Sequence, residues 1–202
     1  MDLRKTNNTL YPAFFRLDRL RLLIVGAGEV GHEKLSFILK SSPNANITVI
    51  ASWMSDPVLV LAVRFPGQVI LIRKSFETLD VVDFDLVIAA TNIRDVNKHV
   101  HCAAKRYGKI VNVADTPALC DFYMGSIVTR GDLKLAISTN GKSPTFAKRF
   151  RQLLENILPE ESHDLVNNLN IVRERLKGNF EHKVRTLNRI TKTLVEHESS
   201  KY

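Results

Sequence analysis

Cysteine is nearly absent. The chain has two in 202 residues, Cys102 and Cys120, which fit neither a disulfide framework nor a zinc spacing. Both stand in apolar contexts, which predicts two core thiols acting as small hydrophobes. Long hydrophobic runs are missing too: no stretch approaches the roughly 20 apolar residues that span a bilayer. The opening MDLRKTNN carries no apolar leader, so the expected location is cytoplasmic, with no membrane partner. The six histidines form no ligand set. His99 and His101 are two apart on an expected helix and face different ways, and His163, His182 and His197 are scattered in the tail. No structural metal is therefore expected. There is no low-complexity segment or repeat, no basic arm before the first strand, and no short turn leading into a recognition helix, which argues against a nucleic-acid partner.

What the chain does have is positive charge. A net charge of +8 and a pI near 9.6 call for an anionic partner, whether nucleic acid, nucleotide phosphates or a polycarboxylate. The basic residues are spread along the chain rather than gathered in a tail. With 45% hydrophobic and 25% charged residues the chain can bury a substantial core.

The apolar run Leu22–Val25 predicts a strand buried on both faces. Three glycines follow, then Leu35, Ile38 and Leu39 at helical spacing, a stop at Ser41-Ser42-Pro43, and a β-branched run at 47–51. This is a βαβ unit. Further strands are expected at 69–73, 85–91 and 109–114, with a helix carrying Val96, Val100, Ala103 and Ala104 between the last two. The fold class is therefore α/β, a Rossmann-like doubly wound parallel sheet over residues 1–114. Residues 115–147 hold a β-hairpin turning at Arg130-Gly131-Asp132, a sequence better explained as turn chemistry than as an adhesion signal. Residues 148–202 form a small helical domain, with one helix marked by Leu165, Leu169, Val172 and Leu176 and another by Phe180, Val184, Leu187, Thr191 and Leu194.

Gly26, Gly28 and Gly31 match G-x-G-x-x-G in the strand–turn–helix context that the dinucleotide motif needs. The acidic residue that usually follows the second strand is replaced by Ser52-Trp53, with Asp56 slightly late. No Arg or Lys follows that strand to meet a 2′-phosphate, which favours NAD over NADP. Hydride transfer needs a group that takes a proton, and such groups lie at the carboxyl ends of strands. Thr91-Asn92 ends one expected strand and Asp115, in VNVADTP, ends the next. That aspartate equally suits an Asx-type turn, and the local sequence leaves both roles open. Downstream, Ser138, Thr139, Asn140, Gly141, Lys142 and Ser143 pack hydroxyls, amides and a lysine ahead of a helix that Ser143-Pro144 would start. Capping does not need all of them, and the loop is a competent site for a substrate carboxylate.

These pieces occur in one order: YPAFFRLDRLRLLIVGAGEVGHEK, LVIAATN, VNVADTP and DFYMGSIVTRGDLKLAISTNGKSPTFAKRFRQLLE. In that order the chain resembles the precorrin-2 dehydrogenase family of sirohaem synthesis, some members of which are also sirohydrochlorin ferrochelatases. The resemblance implies NAD-dependent oxidation of precorrin-2 to sirohydrochlorin, with ferrous iron as a further substrate where chelation occurs. It also implies a homodimer intertwined through the β segment. The family's general base falls on Asp115, a serine that is phosphorylated in a fused relative falls on Thr139, and cofactor contacts fall on Glu29-Val30 and Ser52-Trp53. Two departures stand out: Gly125 replaces a usual proline and Glu33 replaces a basic residue before Lys34. The methyltransferase domain of the fused relatives does not fit in this length, so the precorrin-2 is expected from a separate enzyme. A polycarboxylate macrocycle agrees with the basic charge and with the 138–143 loop. The competing readings are a non-catalytic NAD-sensing dimeric regulator and an NAD oxidoreductase for another anion. A Tyr-x-x-x-Lys pair would favour the latter, and none is present.

Overall fold

The computed structural model describes residues 8–160 and 162–192. Five strands form one parallel sheet: β1 (Arg21–Ala27), β2 (Asn46–Met54), β3 (Val69–Arg73), β4 (Leu86–Ala89) and β5 (Ile110–Val113), in the order β3-β2-β1-β4-β5. Leu22 and Ile24 face one side with Ile47, Val49 and Leu35, and Leu23 and Val25 face the other with Val87, Val111 and Val100. Burial on both faces is why β1, β2, β4 and β5 read as apolar runs rather than alternations, whereas β3, at the edge of the sheet, keeps Ile70 and Ile72 exposed.

Helix α1 (Glu29–Ser41) connects β1 to β2 and buries Leu35, Ile38 and Leu39. Helix α3 (Arg94–Arg106) connects β4 to β5 and buries Val100, Ala103 and Ala104. Because the chain leaves β1 toward β2 but enters β4 on its other side, the topological switch lies between β1 and β4. The crevice beyond the carboxyl ends of these two strands is where such sheets bind ligands. The doubly wound α/β class expected from the sequence is the one observed.

One helix was not legible. α2 (Asp56–Arg64) lies in DPVLVLAVR, a stretch of β-branched and apolar residues, and Pro57 in its first turn starts it after Ser55. Asp56 thus opens a helix. The expectation of two core thiols is corrected: Cys102 is exposed and Cys120 only half-buried. Cys102 stands about 200° around α3 from the buried Val100.

The described residues through Gly125, together with Ser138–Pro144, form one compact unit. Ser126–Ile137 and the residues from Thr145 onward form a second. In that second unit β6 (Ser126–Arg130) and β7 (Leu133–Ile137) pair antiparallel, with Gly131 at φ +56° in the turn. Helix α4 (Pro144–Ile157) ends where the Arg130 guanidinium donates to the carbonyls of Glu155 (2.6 Å) and Leu158 (3.2 Å). A cation there satisfies the orphan carbonyls of the last turn. Helices α5 (Ser162–Arg175) and α6 (Phe180–Ile190) follow, and Asn179 caps α6 through its side chain. Leu194 and His197 lie outside the described residues.

Candidate functional site

The turn between β1 and α1 forms the floor of a cleft of about 550 Å³, within the range of small-ligand sites. Two close approaches require glycine. Gly26 has φ +112°, and a Cβ there would overlap the Ala90 carbonyl and press on the Thr91 amide. A Cβ on Gly31 would overlap the Gly26 carbonyl, so helix and strand pack here with no room for a side chain. Gly28 is different: nothing lies within 4 Å of the position its Cβ would take, and its backbone lines the cleft. Gly28 is also the N-cap of α1 and offers no side-chain acceptor. The first amide bonded back along the helix is His32, to the Gly28 carbonyl at 2.9 Å. The amides ahead of it are therefore donors available to an anion, and the helix dipole has the matching sign. The Ala27 carbonyl is held by the Ser55 amide (3.0 Å) and hydroxyl (2.8 Å), which tie the turn to the start of α2.

Two walls flank this floor. On one side Thr91-Asn92 leaves β4 and is fixed by Asn97 of α3, a buried amide. Asn97 donates to the Thr91 carbonyl (2.9 Å) and accepts from the Thr91 amide (3.1 Å) and hydroxyl (2.8 Å). On the other side stand Ser52 and Trp53, still within the last part of β2, and Lys74, Ser75 and Phe76, which leave β3. Of the expected cofactor residues, Gly26, Gly28, Glu29, Val30, Ser52, Trp53, Thr91 and Asn92 line the cleft, and Gly31 supports it from behind. Asp56 does not line it. Asn97 and residues 74–76 were missed by sequence reasoning. The polar Asn97 within the apolar stripe of α3 was the one available signal for the first, since a buried amide must find partners. The second depends on which strand pairs with β2. The cradle suits the phosphates of a dinucleotide: a floor of free amides, a glycine without a side chain in the way, and no carboxylate other than Glu29 among the lining residues.

Asp115 follows β5 at the same edge of the sheet, where the Ala114 amide still bonds the Ala89 carbonyl at 2.9 Å. It has φ +56°, is exposed, and its carboxylate has no hydrogen-bond or ion-pair partner among the described residues. A left-handed non-glycine residue costs on the order of 1 kcal/mol, so something must hold it. The return of the chain does. The Cys120 sulfur lies 3.3 Å from the Val113 amide, 3.2 Å from the Val113 carbonyl and 3.4 Å from the Thr116 carbonyl. Burial pushes the Cys120 thiol above its usual range, keeping it a neutral S–H donor. Asn112 donates to the Phe122 carbonyl (2.8 Å), the Asp121 amide donates to the Val111 carbonyl (2.8 Å), and the Asp121 carboxylate accepts from the Val111 amide (3.0 Å). Residues 112–121 form a closed loop with Asp115 at its tip.

The 138–143 loop is also locally bonded. Asn140 and Gly141 take positive φ, 54° and 73°. The Ser138 hydroxyl accepts from the Asn140 amide (3.2 Å), the Thr139 carbonyl from the Lys142 amide (3.1 Å), and the Thr139 hydroxyl from the Ser143 amide (3.1 Å). Neither Asp115 nor this loop lines the cleft. Among the described residues no group of three or more His, Cys, Asp and Glu is arranged to hold a metal ion.

Residues 13–126 match the family model described as putative NAD(P)-binding, and residues 130–157 match the model described as sirohaem biosynthesis protein central. The chain belongs to the NAD(P)-binding family of the sirohaem synthases. Within that family it is 40% identical to the siroheme synthase of Methylococcus capsulatus over 166 residues, which is 82% of this chain and 34% of the relative. It is 37% identical to that of Pseudoalteromonas atlantica over 170 residues, 84% of this chain and 36% of the relative. The chain thus spans about a third of the length of the curated relatives it matches. Among solved structures, SirC, a precorrin-2 dehydrogenase, superposes with a TM-score of 0.71 at 27% identity, covering 90% of this chain and 89% of that one.

Proposed function

We propose that this chain oxidises precorrin-2 to sirohydrochlorin with NAD as hydride acceptor. The observation that carries the reading is likeness to the precorrin-2 dehydrogenase SirC along nearly the whole of both chains, together with a phosphate cradle in which Gly26 and Gly31 cannot be replaced without collision. When bound, NAD supplies the site that accepts a hydride. The α1 amides hold its phosphates, and the Thr91-Asn92 and Ser52-Trp53 walls orient its two halves. Precorrin-2 loses one hydride and one proton, and the unpartnered carboxylate of Asp115 takes the proton. The 138–143 loop holds a peripheral carboxylate of the macrocycle through the Lys142 ammonium. Ferrous iron is the substrate of a second step, metal insertion, in which loss of the pyrrole protons falls to the same carboxylate.

The partner is a second copy of the chain. Phe146, Phe150, Leu153 and Ile157 recur at i, i+4, i+7 and i+11 on α4 and are 60%, 40%, 50% and 60% exposed, an apolar stripe that water disfavours. Light scattering is expected to report a dimer, and Leu153→Glu a monomer. The cytoplasmic location read from the sequence is tested by cell fractionation. No helix of the described residues is long and apolar enough to cross a membrane.

The deciding assay supplies precorrin-2 and NAD to the chain and follows NADH, then adds ferrous iron and follows sirohaem. NADH formation that depends on both reactants is the expected result. Tetrapyrrole binding without NADH would leave a scaffold or chelatase, and absence of tetrapyrrole binding would refute the reading.

A further inference from the structure

The cleft wall built by β2 and β3 carries one feature that the proposed reaction does not use. In a doubly wound sheet the group on the adenosine 2′ position lies beyond the end of the second strand, where a carboxylate takes a free hydroxyl and a cation takes a phosphate. Here the end of β2 offers no carboxylate, and the neighbouring strand delivers a lysine. Ala51 pairs with Arg73, and the Lys74 amide donates to the Ala51 carbonyl at 3.1 Å, so Lys74 enters the cleft beside Ser52. It is the one cation among the described lining residues. On position alone it would welcome a 2′-phosphate.

Its charge is already taken. Lys74 Nζ lies 2.7 Å from Asp80 Oδ1 and 3.6 Å from Glu77 Oε2. The other Asp80 oxygen accepts from the Glu77 amide at 2.8 Å, part of a reciprocal cap on the 3-10 turn Thr78–Val81. Asp80 is therefore held on both sides and is only 14% exposed, whereas Glu77 is 73% exposed. The Asp80 hydrogen bond holds the Lys74 ammonium above the usual lysine range. One cation and two carboxylates leave the cluster with a net charge of −1.

We propose that the Lys74–Asp80–Glu77 cluster is the dinucleotide selector of this chain: it repels a 2′-phosphate and so selects NAD over NADP, with Asp80 as the deciding residue. The proposal rests on the reading of the cleft as a dinucleotide site. A hydroxyl at the 2′ position carries no charge and is accepted by Ser52 or Ser75. A phosphate there would face the surplus negative charge with no unengaged cation among the described lining residues, and one neighbouring charge is worth about tenfold in affinity for a phosphate dianion.

The test is direct binding, which needs no tetrapyrrole. Trp53 is the only tryptophan of the chain and lines the cleft, so its fluorescence reports NADH and NADPH titrations of the full chain. The parent is expected to bind NADH at least about tenfold more tightly than NADPH. Asp80→Asn keeps an oxygen for the cap and frees Lys74, and should tighten NADPH about tenfold while moving NADH less than about threefold. The double variant Asp80→Asn/Lys74→Ala should lose that gain. Glu77→Gln, at an exposed position, gives a smaller shift of the same sign and serves if the Asp80 variant does not fold. Equal affinities in the parent, an unmoved NADPH constant in both single variants, or a gain that survives loss of Lys74 would each overturn the proposal. Failure to bind either dinucleotide would overturn the cleft reading and this inference with it. Selective NADH binding without precorrin-2 oxidation would uphold the selector and refute only the function.

Discussion

Replacing Gly28 and Gly31 separately by alanine should split binding from stability within one turn. At Gly31 the new methyl overlaps the Gly26 carbonyl, a backbone atom that cannot swing aside. Overpacking of this kind costs about 1–3 kcal/mol, and the better helix propensity of alanine returns about 1 kcal/mol. Because the overlap is with backbone, the cost falls at the upper end of that range and the net loss is about 2 kcal/mol, with α1 displaced from β1. At Gly28 the methyl meets nothing within 4 Å, and φ −81°, ψ −156° is open to any residue. Loss of a good N-cap and the gain from a stiffer unfolded chain are each about 0.5–1 kcal/mol and of opposite sign, so stability should change little. The Gly28 methyl instead stands where a phosphate must approach the amides. Holding it off loses one charge-assisted hydrogen bond, about 1.5–3 kcal/mol, or roughly 10- to 150-fold in affinity. Urea unfolding measures the first quantity and Trp53 fluorescence titration with NADH the second. A Gly28→Ala variant that binds NADH within twofold of the parent would refute the placement of the phosphates on this turn. A Gly31→Ala variant as stable as the parent would refute the close-packing argument.

Asp115→Asn keeps a residue that tolerates positive φ while removing the base; turnover should fall at least about a hundredfold with NADH affinity unchanged, and full turnover would remove the assigned role. Cys120→Ala opens the clasp around the Asp115 loop and should cost about 1–2 kcal/mol in urea unfolding. In the parent, thiol reagents should modify exposed Cys102 well before Cys120, whose thiol is raised by burial. Asp121 titrates below the usual carboxylate range. Burial, the largest single influence, works the other way, but the Lys105 ammonium at 2.8 Å and the Val111 amide at 3.0 Å together outweigh it. A lowered folded value means that its stabilisation is present above the unfolded value of about 4 and disappears as pH falls through the folded one. Acid-unfolding curves of Asp121→Asn should therefore converge on the parent below about pH 4 and lie beneath it at neutral pH; a constant offset across that window would contradict the assignment.

Local periods and special backbone positions were legible from adjacent residues alone. Unbroken apolar runs placed β1 to β5, helical spacing placed the buried faces of α1 and α3, and three glycines marked the turn, because strand pleat, helix period and steric freedom are properties of a few adjacent residues. α2 escaped because a short apolar run bears no period that separates strand from helix. The tertiary structure decided what meets at the cleft. Lys74 reaches it because β3 pairs with β2 in a register that sets Arg73 beside Ala51. Thr91 is held because α3 turns Asn97 back onto β4. Asp115 is pinned in a left-handed conformation because residues 120–122 return to β5. The first is a pairing between separate strands, and the other two, between residues only six to ten apart, depend on how a helix or a returning loop packs back on the sheet. Strand order and register are set by the packing of the whole sheet, so no local stretch encodes them.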